Sequence, residues 1–151
     1  MIPSRLDVLL DPKHVVLELG GRSANDAVWE IVQLLAANGE LRNPKEFFAA
    51  VMEREAKSST VANGGAAFPH ARTLLVDDLV LGIGRSDQGV TFPGTKTLVH
   101  LLFVIGVPQQ MVNDYLVCVG ALARRLMAEG TREALLSAST TAEFLERLRG
   151  E

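Results

Sequence analysis

The 151-residue chain has one cysteine and only three histidines, and it has no apolar run of membrane-spanning length. A lone Cys118 excludes an intramolecular disulfide and a cysteine-based zinc site, so the expected compartment is the cell interior and the thiol is expected to be buried. No apolar stretch reaches the roughly 18 residues of a membrane span. The N-terminal MIPSRLDVLLDPK lacks the basic start and sustained apolar core of a signal peptide. A soluble, cytoplasmic protein without direct membrane insertion is therefore expected. The formal net charge of -3 offers no basic footprint, which argues against nucleic acid as a partner. Repeats, low-complexity tracts and charged tails are all lacking, so residues 1–151 read as one domain. What is present is a hydrophobic content of 48%, enough for a core at this length.

Helical and extended patterns interleave along that domain. Ala24, Ala27, Val28, Ile31, Leu34 and Leu35 share one helical face, with Ser23 and Asp26 as an N-terminal cap and Asn38-Gly39 as a stop. Asn43-Pro44-x-Glu46 repeats the start grammar of cap, first-turn proline and acid, and predicts a second helix to about Lys57. LVLGIG from Leu79 and LVHLLFVIGVP from Leu98 read as strands; the second hardly alternates and is expected at the sheet centre, buried on both faces. A helix is expected from Asn113, and Thr131 and Thr140 are expected to open two shorter ones. The pattern implies an α/β layer architecture with sites at strand ends and in the loops that leave them.

One such loop is TVANGGAAFPHART, Thr60 to Thr73. Pro69 fixes its own φ and drives Phe68 into the extended region, so Ala66 to Pro69 is expected as a short strand or arm with His70 at its end. Gly64 and Gly65 open backbone conformations closed to other residues, and successive N–H groups in such a turn form a nest suited to a phosphoryl anion. A neutral imidazole is a nucleophile near pH 7 and accepts and passes on a phosphoryl group. Because the charge of that transfer spreads over three equatorial oxygens, donors around the histidine supply most of the catalysis; Arg54, Thr60 and Arg72 are the local candidates. The same residues also fit a plain turn with solvated arginines, and the chemistry alone leaves both readings open.

EREAKSSTVANGGAAFPHART resembles the phosphorylation-site signature of the fructose/mannitol-type (type 2) enzyme IIA domains of the bacterial phosphoenolpyruvate-dependent sugar phosphotransferase system. The resemblance continues through LLDPKHVVLELGGRSANDAVWEIVQLLA upstream and VHLLFVIGVP with its following helix downstream. It implies an α/β sandwich with a mixed β-sheet flanked by helices. It implies His70 as phosphoryl acceptor, Arg54 as the arginine ahead of it and Thr60 as the threonine opening the loop. The small carrier protein HPr, or its nitrogen-branch counterpart, would be the donor, and no metal or nucleotide cofactor is called for. An enzyme IIB domain would be the recipient in the sugar branch, and a regulated target protein the partner in the nitrogen branch. The chain length suits the free-standing regulatory type; a separately encoded sugar subunit would look the same.

The family commonly carries a His-Leu pair at the start of the helix after Val107-Pro108, where this chain has Tyr115-Leu116. The resemblance puts that position beside the acceptor, while the residue alone fits a helix-surface aromatic equally well. Phe68 and Ala71 stand where an aliphatic residue and a glycine are frequent. Two functional classes follow: a phosphoryl carrier, and a binding module of the same fold with weakened phosphorylation. Of the remaining histidines, His100 is expected as a partly buried structural residue within its strand and His14 as a solvated turn residue. A zinc site on His70 and His100 would lack a third ligand.

Overall fold

The computed structural model describes residues 2–150. A short helix α1 (Ser4–Asp7) and a 3-10 turn (Pro12–His14) lead into β1 (Val15–Val16) and the helices α2 (Ala24–Ala37) and α3 (Pro44–Lys57). Then come β2 (Val61–Ala62), β3 (Ala66–Ala67), β4 (His70–Thr73), β5 (Val80–Val90) and β6 (Val99–Pro108), followed by α4 (Val112–Met127), α5 (Glu129–Ser137) and α6 (Thr141–Arg149). The fold is mixed α/β, as expected.

The sheet order is β1-β5-β6-β3-β2, with β4 also paired to β6. β5 runs antiparallel to β6, whereas β3 and β4 lie parallel to it, one after the other along its far edge. β6 is thus the central strand its composition predicts. Its apolar run divides by the two-residue period of a strand between two cores. Leu101, Phe103 and Ile105 join Leu122, Leu126, Leu135, Phe144 and Leu148 on the face covered by α4, α5 and α6. Leu102 and Val104 join Val28, Ile31, Leu35, Phe47 and Val51 on the face covered by α2 and α3. The glycines of LGIG belong to this second face: a Cβ on Gly82 would stand 2.5 Å from Ile31 and one on Gly84 2.7 Å from Ile31 and Leu19, so their absence lets α2 lie directly on the sheet.

The caps of α2, α3 and α6 follow the sequence closely. Ser23 Oγ accepts from the Asp26 amide, Asn43 Oδ1 from the Glu46 amide, and Thr140 Oγ1 from the Glu143 amide. Asn43 adopts a left-handed conformation (φ 46°) to do so. The other starts differ by one or two residues. α4 begins at Val112 without a side-chain cap, and α5 begins at Glu129 because the amides of Thr131 and Arg132 both close back on the Ala128 carbonyl. β5 extends well past LVLGIG: the ladder breaks between Arg85 and Val90 and resumes where Val90 pairs with Val99.

His14 corrects the expectation of a solvated turn histidine. The 3-10 turn packs against α2, β5 and α6, and His14 is only 8% exposed. Its Nε2 lies 3.3 Å from Glu40 Oε1, near enough to form an ion pair on protonation but not aligned as a hydrogen bond. The cause is its position between Leu10 and Val15, both drawn into the core. Cys118 is buried on the inner face of α4, as expected. Among the described residues no helix is long and apolar enough to cross a membrane.

Candidate functional site

The path from α3 to His70 is held by hydrogen bonds rather than by packing alone. Glu55, in the last turns of α3 and 8% exposed, accepts from the Thr60 amide at 2.8 Å and from its hydroxyl at 2.6 Å. Thr60 Oγ1 in turn accepts from the Phe68 amide at 3.2 Å, fixing the residue two before His70. Pro69 has no N–H to donate, so the pairing of β3 with β6 ends before it; the Pro69 carbonyl still accepts from the Ile105 amide, and β4 starts at His70 opposite Ile105. His70 therefore heads a second strand rather than closing the first. Phe68 itself is buried, its ring stacked on Phe103 with centroids 5.3 Å apart.

The half-buried His70 ring has two different nitrogens. Nδ1 is 2.9 Å from the Phe68 carbonyl, which can only accept, so Nδ1 carries the proton and the lone pair resides on Nε2. Burial holds the imidazole below its usual pKa of 6.5; the Phe68 carbonyl opposes this, Arg54 adds to the lowering and Glu55 opposes it. Near pH 7 the ring is neutral.

Beside it opens a cavity of about 300 Å³ lined by Glu53, Arg54, Lys57, His70 and Arg72 among others. Arg54 donates through Nη1 to the Ser58 carbonyl at 2.7 Å, and Arg72 donates weakly to the Gln109 carbonyl at 3.4 Å. Three cationic side chains and one carboxylate thus line this opening, with Glu53 Oε1 3.8 Å from Lys57 Nζ one turn along α3.

Tyr115, in the first turn of α4, closes the other side. Its hydroxyl stands 3.3 Å from Nδ1 and 3.4 Å from Nε2, with ring centroids 4.8 Å apart and planes tilted by 33°. An oxygen almost equidistant from both nitrogens at this range sits against the face of the imidazole; an in-plane position would collide with Cε1. The Nε2 lone pair is consequently not occupied by the phenol. Burial raises the Tyr115 pKa from 10.0, with Arg54 opposing, so the hydroxyl is neutral and retains its proton.

The sequence candidates separate into groups. His70, Arg54 and Arg72 line one cavity, with Tyr115 against the His70 ring. Thr60 lies behind them, bonded to Glu55 and Phe68. Gly64 and Gly65 do adopt positive φ, at 89° and 79°, but Gly64 lines a different cavity and Gly65 abuts Leu98 and His100. Glu55 and the Phe68 carbonyl are the contributors that sequence reasoning missed; a glutamate on the inner face of a helix five residues before a threonine was the available signal. Among the described residues no group of three or more His, Cys, Asp and Glu is placed to hold a metal ion.

Residues 8–150 match the sequence model of the family described as "Phosphoenolpyruvate-dependent sugar phosphotransferase system, EIIA 2". The chain belongs to that EIIA family.

Among curated relatives, it is 29% identical over 143 residues to the fructose-specific EIIABC component of Bacillus subtilis, covering 94% of this chain and 22% of that one. It therefore spans about a fifth of that multidomain EIIA relative. It is 31% identical over 127 residues to the fructose-specific EIIA component of Haloferax volcanii, covering 83% of this chain and 82% of the relative. Among solved structures, the nitrogen regulatory protein IIA-Ntr of Neisseria meningitidis superposes with a TM-score of 0.88 at 25% identity, over 96% of this chain and 99% of that one. The mannitol enzyme IIA of Escherichia coli, solved in complex with phosphorylated enzyme IIB, shares the EIIA fold at TM-score 0.79 and 21% identity, over 94% and 98% of the two chains.

Proposed function

We propose that this EIIA protein is a phosphoryl carrier in which His70 Nε2 is the acceptor. The observation that carries the reading is the His70 ring itself: its Nδ1 proton is committed to the Phe68 carbonyl, its pKa is lowered, and it lines a cavity with Arg54 and Arg72. An HPr-like phosphocarrier, or its nitrogen-branch counterpart, presents a phosphohistidine. The neutral Nε2 attacks phosphorus as the donor's P–N bond breaks, and the donor imidazole leaves with that electron pair. Arg54 and Arg72 meet the charge on the equatorial oxygens, which spreads as the bonds exchange. Tyr115 donates its phenolic proton in a hydrogen bond to a phosphoryl oxygen; lying over the ring face, it is out of line for attack on phosphorus. Thr60 and Glu55 act as positioning residues through Phe68. The phosphoryl group then passes to an enzyme IIB domain or persists as a regulatory state read by a target protein. The lower-charge Tyr115 in place of a second imidazole favours the regulatory branch, and at its extreme a binding module with weakened phosphorylation, because a neutral donor stabilises the phosphoryl group less than an imidazolium.

Incubation with phosphoenolpyruvate, enzyme I and the carrier protein tests the proposal. One acid-labile phosphoryl group is expected by mass spectrometry, with phosphorus NMR assigning it to Nε2 of His70, and none in His70→Ala. An adduct on another residue, or none with several carriers, overturns it.

A further inference from the structure

A second cavity, of about 480 Å³, is lined by the earlier part of the segment that leads to His70. Its wall combines Ala66 and Phe68 from the sheet side with Ala123, Leu126 and Met127 from the last turns of α4, and Arg132 of α5 stands over it with Gly64. The wall is apolar apart from the loop backbone, Asn63 and that one guanidinium. Arg132 is half-buried and donates through Nη1 to the carbonyls of Leu126 and Met127 at the end of α4. Among the described residues it has no carboxylate partner, and neither its Nε nor its Nη2 has a hydrogen-bond acceptor there. Gly64 makes this closeness possible: at φ 89° it lays the loop against the arginine, where a Cβ would stand 2.9 Å from Cδ and Nε.

A half-buried guanidinium with free donors beside an apolar hollow is complementary to one kind of molecule. The head must be anionic and planar enough to take two parallel N–H bonds, and the body must be hydrocarbon that gains from leaving water. We propose that this cavity binds a small carboxylate with an apolar tail, its head on Arg132 and its tail against Phe68, Ala123 and Leu126. A free inorganic anion matches the arginine but not the wall; a neutral alcohol matches the wall but not the arginine. The site is distinct from phosphoryl transfer and its occupation is measurable without phosphorylation. It nevertheless adjoins that chemistry, because the Phe68 ring forms its wall while the Phe68 carbonyl holds His70 Nδ1.

Titration of the isotope-labelled full chain with hexanoate, 1-hexanol and acetate, followed by amide NMR, tests the assignment. Hexanoate is expected to bind saturably, shifting the amides of Gly64, Phe68 and Ala123, and at least ten-fold more tightly than either 1-hexanol or acetate. Ala123→Trp, at an exposed rim position that fills the cavity from α4, is expected to abolish hexanoate binding with the fold intact. Arg132→Gln is expected to weaken hexanoate ten-fold or more and to leave 1-hexanol unchanged. Equal affinity for hexanoate and 1-hexanol, equal affinity for hexanoate and acetate, or binding that survives Ala123→Trp overturns the proposal. If Arg132→Gln loosens the end of α4, the three wild-type titrations and Ala123→Trp still decide.

Discussion

His70 and His100 are near-duplicates in their backbone setting. Both imidazoles are half-buried, His70 at the head of β4 beside β6 and His100 within β6 itself, and each places Nδ1 against a backbone carbonyl, Phe68 at 2.9 Å for one and Ser86 at 2.8 Å for the other. What differs is the rest of the ring's surroundings. His70 opens on a cavity with Arg54, Lys57 and Arg72 and has a phenol over its face. His100 is walled by chain: a Cβ on Gly65 would stand 3.6 Å from its Cδ2, and one on Gly89 3.3 Å from its Cε1. A carbonyl on Nδ1 sets the tautomer in both cases, but only the ring with space and cations beyond it is arranged to receive an anion. The hydrogen bond orients the imidazole; the neighbours decide its use.

Removing each histidine should give the largest contrast. His70→Ala is expected to eliminate the phosphoryl adduct, whereas His100→Ala should leave phosphorylation within about two-fold of wild type at equal folded concentration. A comparable loss in both variants, measured by mass spectrometry under the same donor concentrations, would break the contrast between the two rings.

Next in size is the arginine that only one of the two sites has. Arg54→Ala is expected to slow phosphorylation of His70 by roughly ten-fold or more, about 1.4 kcal/mol of transition-state stabilisation per decade, with the melting temperature unchanged. Lysine should restore little, since it lacks the two-donor fork. Stopped-flow or quenched transfer assays that found wild-type rates would remove Arg54 from the site.

A smaller effect is expected at Tyr115. Tyr115→Phe should slow transfer several-fold through loss of one neutral donor, about 0.5–1.5 kcal/mol. Tyr115→His should speed it by up to roughly ten-fold, increasingly so as the pH falls toward about 6.5 and the new imidazole becomes charged. Identical pH profiles for Tyr115→His and wild type would show that the phenol is no poorer a neighbour than an imidazolium.

The finest distinction is in titration. Burial lowers the His70 pKa, so its ring should remain a neutral acceptor below pH 6.5, and the acid limb of the phosphorylation rate should lie below that value. The stability consequence has a definite sign. Below about pH 6.5 the unfolded chain protonates this histidine while the folded chain resists, so stability present above the unfolded pKa is lost as the pH falls through the folded pKa. Ring-proton NMR titration gives the pKa directly, and urea unfolding of His70→Ala should show a shallower acid slope. A His70 midpoint at or above 6.5 would contradict the burial argument.

Several of these features were legible in the chain as written. The caps at Ser23, Asn43 and Thr140 are local devices, made between residues three apart, so short-range sequence is sufficient to specify them. The central place of β6 was readable because a strand buried on both faces has no polar side to show. The loop from Thr60 to Thr73 announced its histidine through glycine and proline, whose backbone limits are intrinsic. β1 and β2, two residues each, carry no periodicity and exist only because β5 and β3 offer partners. His14 looked solvated because a turn motif says nothing of what packs over it. The sharing of the site candidates between two cavities, Arg54, His70 and Arg72 in one and Gly64 in the other, depends on how α3, α4 and α5 pack around the loop. The sequence by itself thus determined the local helix starts, the two-faced central strand and the extended arm that ends at His70, all of which rest on short-range stereochemistry and side-chain type. Tertiary structure alone decided which nitrogen of His70 is free, that a phenol covers its face, and that Thr60 is bonded to Glu55 and Phe68, because each depends on the distance and angle between groups that separate elements bring together.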